Sequence, residues 1–195
     1  MRLYHLPGSR SNRVLWLLEE VGAPYDLTLV GREERQTDEH RTRHPLGRVP
    51  VVEEEGGFVF ESAAILLHLA DLHPEAGLIA PLGSHERALV YQWTLFAMTE
   101  LEAEVVKVAG ARESDPERAE TGKERFRAAA QVIENALAGH EYLVGDRFTV
   151  ADIACGAVLM FGKRFELIEG MPEVDAYIER LEARPPRQRA QAIGV

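Results

Sequence analysis

Residues 3–29 read LYHLPGSRSNRVLWLLEEVGAPYDLTL, and their periodicity changes twice. Leu3-Tyr4-His5-Leu6 is short, apolar and aromatic and stops at Pro7-Gly8, which reads as a strand ending in a turn. Ser9-Arg10-Ser11-Asn12 supplies cap-type residues ahead of Val14, Leu17, Leu18 and Val21, which follow the i, i+3, i+4, i+7 spacing of an amphipathic helix. Gly22 and Pro24 stop that helix. Tyr25, Leu27 and Leu29 then alternate with Asp26 and Thr28, the period of a second strand. A strand, a helix and a strand within about thirty residues set the character of the first part of the chain.

Residues 31–48 are polar, with room for one short helix. Val49-Pro50-Val51-Val52 reads as a third strand, its proline near the start, where a strand tolerates it. Glu54-Glu55-Gly56-Gly57 turns into Phe58-Val59-Phe60, a fourth strand, and Ser62 caps a helix carrying Ile65, Leu66, Leu69 and Leu72. The expected order over residues 1–75 is β-α-β-α-β-β-α. A Pro- and Gly-bearing stretch ending in a linker at about 76–83 follows. From 84 to 195 strand signals vanish. Helical spacing recurs over 85–110, 126–137, 150–162 and 174–181, so a second, all-helical domain is expected.

The 195 residues are 46% apolar, enough for a sizeable core, and their net charge is −10, from 22 basic and 32 acidic residues. So acidic a chain is a poor general binder of nucleic acid, because neutralising phosphates needs a basic surface. The one cysteine, Cys155, rules out an internal disulfide and Cys-rich metal sites. Neither a signal-peptide run nor a membrane-spanning run is visible, so a cytoplasmic protein with no metal is expected.

Three stretches are candidates for chemistry. Ser9-Arg10-Ser11-Asn12 lies where helix amides and the helix dipole stabilise a thiolate or phosphate, with a hydroxyl beside it, although such residues more often serve as plain caps. A cis Pro50 would leave the Val49 backbone free to pair with an extended ligand, and Glu61-Ser62 at a helix start would either hold a carboxylate and an ammonium or serve only as a dipole partner and a cap, the commoner role. Residues 40–48, with three arginines, two histidines and no acid, form either a basic patch or a solvated loop. A fourth stretch, Phe148-Thr149-Val150-Ala151-Asp152-Ile153, has the spacing of a capping box with a hydrophobic staple and is a folding element.

Taken together, the serine-containing turn before Val14-Leu15-Trp16-Leu17-Leu18, the run His44-Pro45-Leu46-Gly47-Arg48-Val49-Pro50-Val51, Glu61-Ser62-Ala63-Ala64-Ile65 and Phe148-Thr149-Val150-Ala151-Asp152 resemble the cytosolic glutathione transferase family over almost the whole chain. The resemblance implies a thioredoxin-like N-terminal domain, an α-helical C-terminal domain and a homodimer. It implies glutathione as co-substrate and a small hydrophobic electrophile met by apolar faces around residues 93–112 and 158–165. Carried onto this sequence, Val49 before Pro50 would pair with the cysteinyl backbone, and Glu61 and Ser62 would hold the γ-glutamyl end. Arg48 would stand near the glycyl carboxylate. His44 replaces the family's usual asparagine. Ser9 is the first choice for the residue facing the sulfur and Ser11 the second, with Arg10 or Asn12 as further donors from the helix start. The expected reaction is conjugation of the glutathione thiol. The alternatives are a non-catalytic scaffold of the same fold that binds a protein partner, or a glutathione-dependent peroxidase, reductase or isomerase.

Overall fold

The computed structural model describes residues 1–111 and 114–193. Residue 112, the end of the apolar stretch 93–112, lies outside them. Contacts divide the chain into two units, Met1–Gly77 with Ala183–Val195, and Leu78–Glu182.

In the first unit the order is β1 (Arg2–His5), α1 (Ser11–Val21), β2 (Asp26–Leu29), α2 (Asp38–Arg43), β3 (Val51–Glu54), β4 (Gly57–Phe60) and α3 (Ser62–Leu72). The sheet runs β2-β1-β3-β4, with β1 parallel to β2 and antiparallel to β3. Strand alternation splits β1 between two layers. Tyr4 joins Val30, Val49 and Val51 on one face, where its ring meets His40 edge-on and Arg43 lies over it at 4.7 Å, so α2 covers that face. His5 points the other way and bonds Ser11 of α1. Proline delays β3 by two residues relative to expectation, because Pro50 has no N–H for the ladder.

The last helix, α9 (Pro185–Ile193), packs on α1 and belongs with the first unit, whereas the sequence suggested one helical domain over 84–195. It also explains why α1 is buried beyond its amphipathic stripe, with Trp16 only 1% exposed. Arg187 lies over the Trp16 ring, Arg184 pairs with both Glu20 oxygens at 2.7 Å, and Arg189 pairs with Glu19. α9 is mostly polar, so hydropathy gave little sign that it would dock.

In the second unit, α4 (His85–Phe96) continues through a π-helical turn, Ala97–Glu102, into α5 (Ala103–Ala111). α6 (Pro116–Leu137), α7 (Val150–Lys163) and α8 (Pro172–Glu182) complete it. Its core includes Leu101, Phe126, Ile133, Ile153, Leu159 and Tyr177. The capping box at α7 forms as expected, with Thr149 N–H donating to Asp152 Oδ2 at 2.7 Å. Among the described residues, no helix is long and apolar enough to cross a membrane.

Candidate active site

Strand register gathers the candidate residues. Tyr4 pairs with Val51, and Val51 with Phe60. The end of β1, the start of β3 and the end of β4 therefore lie at one edge of the sheet, together with the segments that follow or precede them. The chain leaves β1 for β2 on one side and returns to β3 on the other, which makes this edge a topological switch point, where open α/β sheets bind ligands.

At the end of β1, Ser9 is half-buried and its hydroxyl donates to the Leu6 carbonyl at 2.7 Å. Ser11 is fully buried, and its Oγ accepts from Leu6 N–H at 3.1 Å and lies 2.7 Å from His5 Nδ1. Ser11 is thus bound inward, whereas Ser9 stands nearer solvent. Arg10 is the exposed N-cap residue of α1 and gives it no side-chain cap. Asn12 is half-buried, and its Oδ1 has no hydrogen-bond partner among the described residues.

At the start of β3, the Val49–Pro50 peptide is cis. Val49 is buried, and among the described residues no hydrogen bond engages its backbone N–H or C=O. Arg48 is exposed, and its carbonyl bonds His40 Nε2 at 2.9 Å. Run 40–48 is neither a uniform basic patch nor a solvated loop. His40 and His44 are buried, Arg43 lies on Tyr4 and pairs with Glu39, and Arg41 bonds Gln36. His44 shapes the turn leading to Val49, its Nδ1 accepting from Leu46 N–H at 3.1 Å. Burial lowers the His44 pKa, opposed by the charge of Glu61 and assisted by Arg48 and His40.

At the end of β4, Glu61 is exposed and holds φ at 70°, a conformation that side chains other than glycine's rarely adopt and that clusters at functional sites. It is the N-cap position of α3, so Ser62, expected as the cap, is instead the first helical residue. The Ser62, Ala63 and Ala64 amides have no partner among the described residues, and the first bond runs from Ile65 N–H to the Glu61 carbonyl at 3.0 Å. Ser62 Oγ accepts from Arg13 at 3.4 Å, which ties α1 to α3. Neither α1 nor α3 has an acid in its first turn, so the one acid at these two helix starts is Glu61 at the N-cap of α3, whose side chain makes no cap bond. Such an edge suits an extended ligand with a backbone-like middle, a carboxylate and an ionisable group near Ser9.

The sequence pointed to Ser9, Val49, Pro50, Glu61 and Ser62, and strand register brings their segments to one edge. It did not single out His5 or Arg13. The one clue to His5 was its place beside Tyr4 in a strand, which puts the two on opposite faces. Arg13 was hidden because its partner lies 49 residues away.

Known proteins give the edge a context. The family model described as Glutathione S-transferase, N-terminal domain matches residues 1–71, and the one described as Glutathione S-transferase, C-terminal domain matches residues 91–185. The chain is 29% identical over 196 residues to Glutathione S-transferase GstA of Escherichia coli O157:H7, covering 97% of this chain and 96% of that one. It is 36% identical over 154 residues to Elongation factor 1-gamma of Trypanosoma cruzi, covering 78% of this chain and 37% of that one. A sphingomonad glutathione S-transferase solved in complex with glutathione superposes with a TM-score of 0.88 at 27% identity, covering 100% of this chain and 98% of that one. With both domain models matched in order over most of its length, the chain belongs to the glutathione S-transferase family.

Proposed function

We propose that this transferase conjugates the glutathione thiol to a small electrophile at the sheet edge formed by Ser9, Val49 and Glu61-Ser62. The observation that carries the reading is the set of unbonded groups there: the Val49 backbone and the first three amides of α3. An extended tripeptide would pair its cysteinyl backbone with Val49. Its γ-glutamyl carboxylate would take the α3 amides and the Ser62 hydroxyl, and its ammonium would meet Glu61. Arg48 stands near enough in sequence to Val49 to serve the glycyl carboxylate, with Arg10 and Asn12 as further donors from the start of α1.

Ser9 is the residue we assign to the sulfur. Its hydroxyl is nearer solvent than that of Ser11, which is bound inward to His5 and Leu6. Tyr4 is turned to the opposite face, its hydroxyl donating to Glu53. A free thiol near pKa 8.5 is only a few per cent thiolate at neutral pH, and a hydroxyl donor with a helix N-terminus lowers that pKa by about one to two units, or ~1.4–2.7 kcal/mol. Attack of the thiolate on the electrophile then forms the carbon–sulfur bond and expels a leaving group or leaves a carbanion to be protonated. A peroxidase or reductase working through the protein's own thiol finds no support, since Cys155 is buried and donates to the Trp93 carbonyl.

Calorimetric titration with reduced glutathione and a conjugation assay test this reading together. Binding from micromolar to low millimolar is expected. Ser9→Ala is expected to lower turnover at least about tenfold, or ~1.4 kcal/mol, while affinity stays within a few-fold. Unchanged turnover would remove Ser9 from its role. The family's homodimer is part of the proposal, and sedimentation as a monomer at micromolar concentration would remove it. The likeness to Elongation factor 1-gamma favours a second reading, a non-catalytic partner-binding scaffold. Absence of glutathione binding at about 10 mM, above the expected micromolar to low-millimolar range, would select that reading.

A further inference from the structure

Behind the Ser9 hydroxyl, a chain of polar groups ends on a buried imidazole. Ser9 Oγ lies 2.8 Å from Ser11 Oγ, which lies 2.7 Å from His5 Nδ1. Ser11 and His5 are both fully buried. A hydroxyl gives one proton and has two lone pairs to fill. Ser11 Oγ accepts from Leu6 N–H at 3.1 Å, and Ser9 Oγ accepts from Ser11 N–H at 3.2 Å. Ser11 Oγ also lies 3.1 Å from the Leu6 carbonyl, so its proton has three acceptors within reach, and the His5 tautomer with the contact lengths sets which one it takes.

With the proton on Nδ1, His5 donates to Ser11, and Ser11 donates to Ser9 at 2.8 Å, the shorter contact, rather than to the Leu6 carbonyl at 3.1 Å. Both lone pairs of each hydroxyl are then filled, and the Ser9 proton is left to point out of the chain. It rests on the Leu6 carbonyl at 2.7 Å, which also takes Ser9 N–H at 3.2 Å and so keeps a donor if the hydroxyl swings away. With the proton on Nε2, Ser11 must donate to His5, and Ser9 must turn its proton inward to keep its bond to Ser11. That tautomer also buries an N–H with no acceptor, because His5 Nε2 has no hydrogen-bond partner among the described residues. Orphaned N–H groups are rarer in proteins than orphaned acceptors, which selects the Nδ1–H form. Burial also lowers the His5 pKa, so the ring is neutral at neutral pH.

We infer that His5, acting through Ser11, is a positioning residue that commits the Ser9 proton to the glutathione sulfur. This rests on the reading of Ser9 given above. Each donor in such a chain polarises the next, so Ser9 becomes a stronger donor to a thiolate than an isolated serine. Ser11 is then a relay rather than a rival to Ser9.

Two measurements on the full chain test the inference. Nitrogen-15 NMR of ring-labelled histidine in the wild-type protein should find His5 as the neutral Nδ1–H tautomer, and an Nε2–H ring overturns the inference without any substitution. Ultraviolet titration of bound glutathione thiolate gives the second test. His5→Leu and Ser11→Ala should each raise the bound thiol pKa by about half to one unit. His5→Asn, whose amide sets an N–H where Nδ1 stood, should stay within about 0.3 unit of wild type. Ser9→Ala should raise it further, with no added effect when His5→Leu is combined with it. If Ser9→Ala raises the thiol pKa but Ser11→Ala and His5→Leu do not, the relay is overturned and Ser9 keeps its role. If Ser9→Ala leaves the thiol pKa unchanged, the Ser9 reading fails and takes the relay with it. Should His5→Leu not fold, Ser11→Ala and the wild-type tautomer decide.

Discussion

Helices α3 and α7 begin in opposite ways. At α7 every early amide has a partner. Val150 N–H donates to the Leu78 carbonyl at 2.9 Å, Ala151 N–H to Thr149 Oγ1 at 3.3 Å, and Asp152 and Ile153 N–H to the Thr149 carbonyl at 3.0 and 3.4 Å. Asp152 sits in the first turn, fully buried, accepting from Thr149 N–H, Leu143 N–H and the Tyr177 hydroxyl. Burial pushes its carboxyl pKa up, against the pull of those donors. At α3 the cap residue, Glu61, contributes no side-chain bond, the first turn has no acid, and three amides are unbonded among the described residues. A helix start that satisfies itself is a folding element. One that does not, at a sheet edge, is set up for an anion.

The comparison breaks most sharply at Asp152. Asp152→Ala strands two backbone donors and the Tyr177 hydroxyl in the interior, and the expected loss of stability is about 3–5 kcal/mol by urea unfolding. Glutathione affinity of whatever remains folded should be unchanged, and a matching loss of affinity would show that the two helix starts are not separate in function. At α3 the expectation reverses. Ser62→Ala should weaken glutathione about tenfold, or ~1.4 kcal/mol, by calorimetry, while stability changes by about 1 kcal/mol or less. A stability loss as large as that of Asp152→Ala would make Ser62 a structural residue, through its bond to Arg13.

Glu61→Gly sharpens the contrast further. Glycine takes a φ of 70° readily, so the variant should gain about 0.5–1 kcal/mol in stability while binding glutathione more weakly. A stability loss would mean that the Glu61 side chain supports the fold. The shallowest effect is on pH. Burial lowers the pKa of both His5 and His44, so the unfolded chain takes up their protons first. Stability should be full above the ordinary histidine pKa of about 6.5 and decline as pH falls below it toward the lowered folded values. His5→Asn should flatten the slope, and urea midpoints that hold constant across this window would contradict the assignment.

Much of this was legible in the chain. Periodicity located α1, the β3–β4 hairpin and α3, and the Thr149–Asp152 spacing named its own partners because both lie within one helical turn. The candidate site residues Ser9, Val49, Glu61 and Ser62 stood out by type and order. Only the family resemblance set Ser9 ahead of Ser11, because two hydroxyls two residues apart carry the same local signal. What separates them is the direction in which each bonds, and that depends on His5 across the end of β1.

The sequence by itself determined the order of elements, the self-contained cap of α7 and the identity of the residues at three junctions, two before helices and one before β3. All of these depend on interactions within a few residues. Only the tertiary structure decided that the junctions share one sheet edge, that α9 returns to α1, that Glu61 rather than Ser62 occupies the cap position of α3, and that a buried His5 stands behind the Ser9 hydroxyl. Those facts come from strand register and from packing between segments far apart in the chain, and neither leaves a periodic mark in the residues concerned.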